Sequence, residues 1–262
     1  MKVRLFLFVF VLFWDTLQAQ DTFQLAPPVL RFESVFFEKN AKVGVDFAMK
    51  GAQVRYTLNG QDPTEKDRRY RKPLRLDQRY TSLKTRAFRK GYLPSEVEAA
   101  EFFKSGIPVQ NIHATPPNPK YPGHGPRTLV DGAGGKANFS NGSWMGFLHD
   151  TVEVVLGFAQ EQTVTEVMVH VMENQPAWIF LPQKLEVYAP AADSAWILIS
   201  STLPETEKDQ SKSGCKALSL PLPKACNTRQ IKLKIYPLAS IPAFHPGKGN
   251  PAWLFIDEIN LY

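Results

Sequence analysis

The chain has 262 residues, 44% of them hydrophobic, a formal net charge of +6 and only two cysteines. That length admits one or two domains, and the hydrophobic content suffices for an ordinary core. Two cysteines exclude a scaffold built from disulfides.

The first 19 residues read as a targeting segment. Lys2 and Arg4 give a basic start, Leu5 to Trp14 is apolar, and Leu17-Gln18-Ala19 ends on a small residue before Gln20. The apolar run is too short for a permanent membrane anchor, so a signal peptide and an exported product are expected, periplasmic, extracellular or attached to the cell surface. No later segment is long and apolar enough to span a bilayer.

Residues 20–105 alternate like a small antiparallel β-sandwich. Val29 to Phe32, Val43 to Phe47, Val54 to Leu58, Thr81 to Phe88 and Val97 to Phe103 are the expected strands, and Asn59-Gly60 is a strong turn signal. The basic charge collects here: 17 Lys and Arg against 11 Asp and Glu give +6, whereas residues 106–262 hold 12 against 13, giving −1. Arg68, Arg69, Arg71, Lys72, Arg75 and Arg79 are followed by Lys84, Arg86, Arg89 and Lys90. Such a run is either a solvated strand face or an attractor of acidic glycans, and an export signal disfavours nucleic acid.

Ser105 to Asn118 is rich in proline and reads as a linker. Beyond it come Thr151 to Phe158, Val164 to Met172, Lys184 to Ala189, Ala195 to Ser201, Gln230 to Tyr236 and Trp253 to Tyr262. Short strands separated by Pro, Gly and Asn turns, without helical segments, predict a jelly-roll β-sandwich over 106–262. The whole chain is therefore expected to be all-β. Leu203 to Gly214 reads as an exposed loop. Cys215 and Cys226 flank an expected hairpin or loop, where they form either a local disulfide or two free thiols.

The stretch Thr128 to Phe147 combines Asp131, five glycines, Asn138 and Asn141, and the last expected strand carries Asp257-Glu258. Glycines let backbone carbonyls turn toward an ion, and Asp131, Asn138 and Glu258 are hard oxygen donors of the kind calcium takes. The alternative is an ordinary Gly-Asn turn beside a plain strand.

Two resemblances sharpen this reading. Val54 to Thr64 (VRYTLNGQDPT), Tyr70 with Pro73-Leu74, Thr85 to Phe88, and Lys90-Gly91-Tyr92 with Ser95 resemble the small β domain near the C-termini of chitobiases and other β-hexosaminidases. In that family the domain is accessory and carries no catalytic residues. Thr128 to Gly132, Trp144 to Phe147, Val152 to Gly157, Trp178 to Pro182, Glu186 to Tyr188 and Asp257 to Ile259 resemble the discoidin, or coagulation-factor type C, domain, a group that includes many carbohydrate-binding modules. This resemblance implies an eight-stranded sandwich, a structural calcium on Asp131, Asn138 and Glu258, and a glycan site on loops at one end. Ala133 stands where the commoner pattern has a second Asp. Trp144, Asn174, Trp178, His245 and Trp253 lie in or beside loops and are the candidate ligand contacts, aromatic rings for a sugar's C–H face and polar groups for its hydroxyls. Trp178 and Trp253 read equally as core residues.

No Gly-x-Ser-x-Gly, His-Glu-x-x-His or phosphate-cradling loop is present. Asp257 and Glu258 are adjacent on a strand, so their side chains are expected on opposite faces and unable to flank one glycosidic bond. The expected function is that of an exported, non-catalytic glycan-binding accessory protein. Its partners would be a glycan and an exported glycosidase or cell-surface protein. The alternative is a structural or adhesive module that binds protein on the same scaffold.

Overall fold

A computed structural model describes residues 23–148, 151–191 and 195–262. The expected signal segment, 1–19, lies outside the described residues. The fold is all-β, as expected. Among the described residues no helix is long and apolar enough to cross a membrane.

The N-terminal part has eight strands: β1 Val29–Arg31, β2 Phe36–Phe37, β3 Ala41–Asp46, β4 Gln53–Thr57, β5 Arg68–Arg69, β6 Leu74–Leu76, β7 Tyr80–Phe88 and β8 Glu98–Lys104. They form a three-stranded sheet, β1-β3-β6, and a five-stranded sheet, β2-β8-β7-β4-β5. All pairs are antiparallel except the short β2–β8 contact, which is parallel. Alternation explains the layering: Ala41, Val43 and Val45 of β3 are buried while Lys42 and Asp46 are exposed. Val43, Leu76, Leu83 and Phe102 fill the space between the sheets.

The C-terminal part adds β9 Asn111–Ala114, β10 Met145–Phe147, β11 Val152–Asn174, β12 Lys184–Pro190, β13 Trp196–Thr202, β14 Ser213–Tyr236 and β15 Leu254–Leu261. They make one seven-stranded sheet, ordered β10-β15-β11-β14-β12-β13 with β9 on β11. Two long strands explain how one sheet becomes two layers. β11 and β14 pair along almost their full length, with register breaks at Gly157/Gln162 and Val164/Glu166. Before the breaks β11 carries β9, and after them it carries β15. The ladder bends at these irregularities and folds onto itself. Val152, Val154 and Leu156 from one half then meet Val167, Val169 and Val171 from the other in a single core. This is the expected sandwich.

Three local expectations are corrected. The proline-rich stretch 105–118 is woven onto the sheet rather than free: β9 pairs with β11, Ile107 N–H donates to Leu261 O at 2.7 Å, and Thr115 N–H donates to Glu153 O at 2.8 Å. The segment around the cysteines is strand, not hairpin. Cys215 lies opposite Met172 and Cys226 opposite Val164, so the two sit far apart along β14 and are free thiols. Last, Asp257 and Glu258 do not diverge. His170 pairs with Glu258 and Val171 with Ile256, which leaves Asp257 as the extra residue of a bulge. The bulge turns both carboxyls toward the loop 131–135.

The two parts meet along a seam. Phe36 packs edge-on to His170 at 5.1 Å, and Met168 joins the N-terminal core. The Arg79 guanidinium pairs with Glu166 and lies 3.9 Å from the ring centroid of Tyr262. The Tyr262 hydroxyl donates to Lys104 O at 2.9 Å, and burial pushes its pKa up to about 12.

Candidate functional site

Most of the candidate contacts gather at one end of the C-terminal sandwich, where β11 ends and the chain enters β15. Asn174 begins a 3-10 turn, Gln175–Ala177, and its side-chain oxygen accepts from Ala177 N–H at 3.3 Å. The turn ends on Trp178, whose backbone lies at φ 62, ψ 26. Trp178 is the one non-glycine residue with positive φ among the described residues. A bulky side chain in the left-handed region costs on the order of 1–3 kcal/mol and persists only where surroundings enforce it.

The enforcing contacts are visible. Asn174 and Ile179 exchange backbone hydrogen bonds, N–H to O, at 2.9 and 3.0 Å, closing the turn at its base. Trp253 N–H donates to Trp178 O at 2.9 Å, and Phe180 N–H donates to Trp253 O at 3.0 Å. The Trp178 ring rests on Gly247: a Cβ there would lie 2.8 Å from the ring's Cε2. Its outer side remains open, with 40% of the residue exposed.

Trp253 is half-buried and continues the aromatic surface. Its ring stands edge-on to Tyr121 at 5.3 Å, and Tyr121 is edge-on to Phe139 at 5.9 Å. The Lys120 ammonium sits 5.2 Å from the Tyr121 centroid. Backbone bonds thus tie Asn174 and Trp178 to Trp253, whose ring packs on Tyr121 and, through it, reaches Lys120. Sequence reasoning missed Tyr121, Phe139 and Gly247. The turn signal Pro246-Gly247-Lys248-Gly249 was the cue available for the last.

Two candidates change role. Trp144 was expected to be an exposed stacking ring, but it is 1% exposed. It packs with Met172, Ile179 and Phe255, stacks on His170 at 5.8 Å, and its Nε1–H donates to Lys136 O at 3.0 Å. The strand that begins at Met145 pairs with β15 and draws the ring inward. His245 is buried as well. Its Nδ1 accepts from Gly247 N–H at 3.0 Å, and its ring is edge-on to Phe180 at 5.4 Å. It holds the turn that supports Trp178 rather than facing solvent.

The residues expected to hold calcium are placed as follows. Glu258 Oε2 accepts from Gly132 N–H at 2.9 Å, Asp131 Oδ1 from Ala133 N–H at 2.8 Å, and Asn138 Oδ1 from Ser140 N–H at 3.0 Å. Asp257 Oδ2 accepts from Gly135 N–H at 2.7 Å, and its Oδ1 lies 2.6 Å from His170 Nδ1. Burial raises the Glu258 pKa to about 9, with Asp131 and Asp257 adding to the shift against the Gly132 amide. Burial also raises Asp131. Asp131 and Glu258 therefore lie close together on adjacent amides of the same turn, but Asn138 is turned to its own loop. Among the described residues no three acidic, His or Cys side chains gather into a metal-holding group. The three expected ligands do not converge on one point, and no role for calcium is derived from them.

Residues 34–99 match the chitobiase/β-hexosaminidase C-terminal domain, inside the segment whose motifs carried that resemblance. No curated protein matches the chain. Among solved structures it is similar to the CBM32 of AlyQ in complex with 4,5-unsaturated mannuronic acid, with 11% identity, TM-score 0.39, and 60% of this chain and 96% of that one covered. A pectin-binding carbohydrate-binding module shares 17% identity at TM-score 0.38, with 59% and 91% covered. The family 32 module from C. perfringens NanJ in complex with galactose shares 12% at TM-score 0.38, with 58% and 91% covered. Likeness at this level assigns no ligand.

Proposed function

We propose that the chain is an exported, non-catalytic glycan-binding protein whose contact face is the loop end built on Trp178 and Trp253. The observation that carries this reading is the conformation of Trp178. A large ring is held outward on a strained left-handed residue, supported from below by a glycine that leaves it room. Strain of that kind marks positions kept for contact rather than for packing. Nothing in the face resembles a reaction centre: its polar groups are an amide and an ammonium, without a paired acid and base. A flat ring beside a few polar groups suits a sugar's C–H face and hydroxyls. Exposed stacking of this type gives dissociation constants of roughly mM to μM, because competing water and ordering costs cancel much of the gain.

The test is a glycan array with the secreted form, followed by titration calorimetry on the hits. Trp178→Ala should remove binding while the melting curve stays cooperative, and Trp253→Ala should weaken it. Undiminished binding by Trp178→Ala would move the site elsewhere. A silent array together with specific capture of a purified cell-surface protein would favour the adhesive alternative.

A further inference from the structure

The basic run of the N-terminal half is not absorbed by this site, and the structure shows what becomes of it. Several of its members are engaged. Arg79 is held at the seam, and Arg75 donates to Asn40 Oδ1 at 3.3 Å. Two others, Arg69 and Arg86, fall into line with Arg55. Arg55 of β4 pairs with Arg69 of β5 on one side and with Arg86 of β7 on the other. Val54, Leu83 and Ala87 point into the core, so the alternating positions Arg55 and Arg86 lie on the opposite face of the five-stranded sheet. Arg69, at the sheet's edge, is exposed. With strands about 4.8 Å apart, the row places three cationic positions across about 10 Å.

Like charges directly opposite one another in a sheet are destabilising, so such a row needs compensation. It is met only in part. None of the three makes an ion pair among the described residues; Asp62 pairs with Lys84 at 2.7 Å and Asp67 binds the amide and hydroxyl of Thr64 at 2.7 Å each, while Arg86 and Arg55 act on these two carboxylates only as secondary charges. Arg55 donates to Asp67 O at 3.0 Å and Gln53 Oε1 at 2.7 Å, yet its Nε is buried with no hydrogen-bond partner. Arg86 Nε–H donates to Ser95 O at 2.7 Å. A cavity of about 310 Å³ opens beside the row, lined by Gln53, Arg55, Glu65, Phe88, Arg89 and Lys90.

We infer that this arginine row is a second binding face, for an anionic polysaccharide bearing carboxylate or sulfate groups. Guanidinium forks match both groups in a bidentate manner, and a row across an open sheet suits an extended chain with repeated charges. Phe88 lies on this face but is 8% exposed, with the Arg86 guanidinium 5.9 Å from its ring centroid, and Tyr56 packs inward, so the row offers no open ring to a nucleobase. The site stands independently of the Trp178 face.

The experiment uses the full secreted chain at low salt, with polygalacturonate and heparin as the carboxylate and sulfate probes, dextran as the neutral control and duplex DNA as the competing polyanion. The pair Arg69→Gln/Arg86→Gln should weaken binding to at least one acidic glycan about tenfold, and added salt should weaken wild-type binding steeply. Lys42→Gln/Arg75→Gln removes the same charge from the three-stranded sheet, where the two are register partners, and should leave binding unchanged, as should Trp178→Ala. Arg69→Gln alone should keep or raise the melting midpoint, since it relieves the row, which separates lost binding from lost folding. Equal losses in the two charge-matched pairs, no loss in the arginine pair, or DNA bound more tightly than both acidic glycans would overturn the proposal.

Discussion

Glu258 offers a measurable consequence of the bulge in β15. Glu258 is 3% exposed; its carboxyl shares its surroundings with Asp131 and Asp257, and burial raises its pKa from 4.5 to about 9. The folded state therefore keeps a proton that the unfolded chain releases near its ordinary value. Stability from this group is complete below that ordinary value and is lost as pH rises through the folded value. Between the two, the slope is about 1.4 kcal/mol per pH unit, so the ceiling on the loss between about pH 5 and pH 8 is about 4 kcal/mol. Glu258→Gln keeps an acceptor for Gly132 N–H and carries no titratable proton. Urea unfolding across that range should show wild type losing stability as pH rises and the variant following a flatter curve. Parallel curves would refute the reasoning. Glu258 would then be ionised in the folded state and would need a compensating cation, and a melt that shifts between calcium and chelator would identify it.

Trp144→Ala should destabilise the C-terminal part by about 3–5 kcal/mol, read by chemical denaturation, because it empties a buried site and strands the Lys136 carbonyl. A variant that keeps wild-type stability would mean the ring is not in the core. At the seam, residues 20–105 expressed alone should melt below the corresponding transition of the full chain, since Phe36 and Phe103 lose Met168 and His170. An unchanged midpoint would show that the seam contributes nothing to the N-terminal core.

Legibility in the sequence followed the regularity of the strands. Ala41 to Asp46 and Tyr80 to Phe88 alternate cleanly because one face meets a core and the other meets water. β11 was legible as two strands, not one, because the break between them lies in the polar stretch Gln160–Thr163. The first half of β14 was hidden by Gly214, Pro221 and Pro223, which read as turn residues. Pro221 sits where the register against β11 slips, a place that spares a ladder hydrogen bond. The face of Trp178 was legible as residue type but not as geometry. No local signal announces that a tryptophan will adopt a glycine-like backbone angle; only the hydrogen bonds from Asn174 and Trp253 impose it. Trp144 failed for the complementary reason: the turn Asn141-Gly142-Ser143 was read correctly, but the strand it leads into was not known to face inward at its first step.

The departures from local rules fall at particular places, and they differ in what compensates them. At the bulge the conflict is two adjacent carboxyls turned inward, and it is met within the chain by amides from Gly132 and Gly135 and by His170. At Trp178 the conflict is backbone strain, and the clamp that holds it exposes the ring instead of burying it. At the arginine row the conflict is repulsion between register partners, and the described residues meet it only in part, without an ion pair. A sequence specifies its fold when local preferences agree with the global packing, and disagreement that packing does not resolve points toward a partner outside the chain. By that criterion the bulge is a structural feature, whereas at the proposed faces, Trp178 and the arginine row, binding would offset the cost. The two surfaces call for different chemistries, a sugar's apolar face for the ring and repeated negative charge for the row. Binding by one should therefore vary with salt far more steeply than binding by the other.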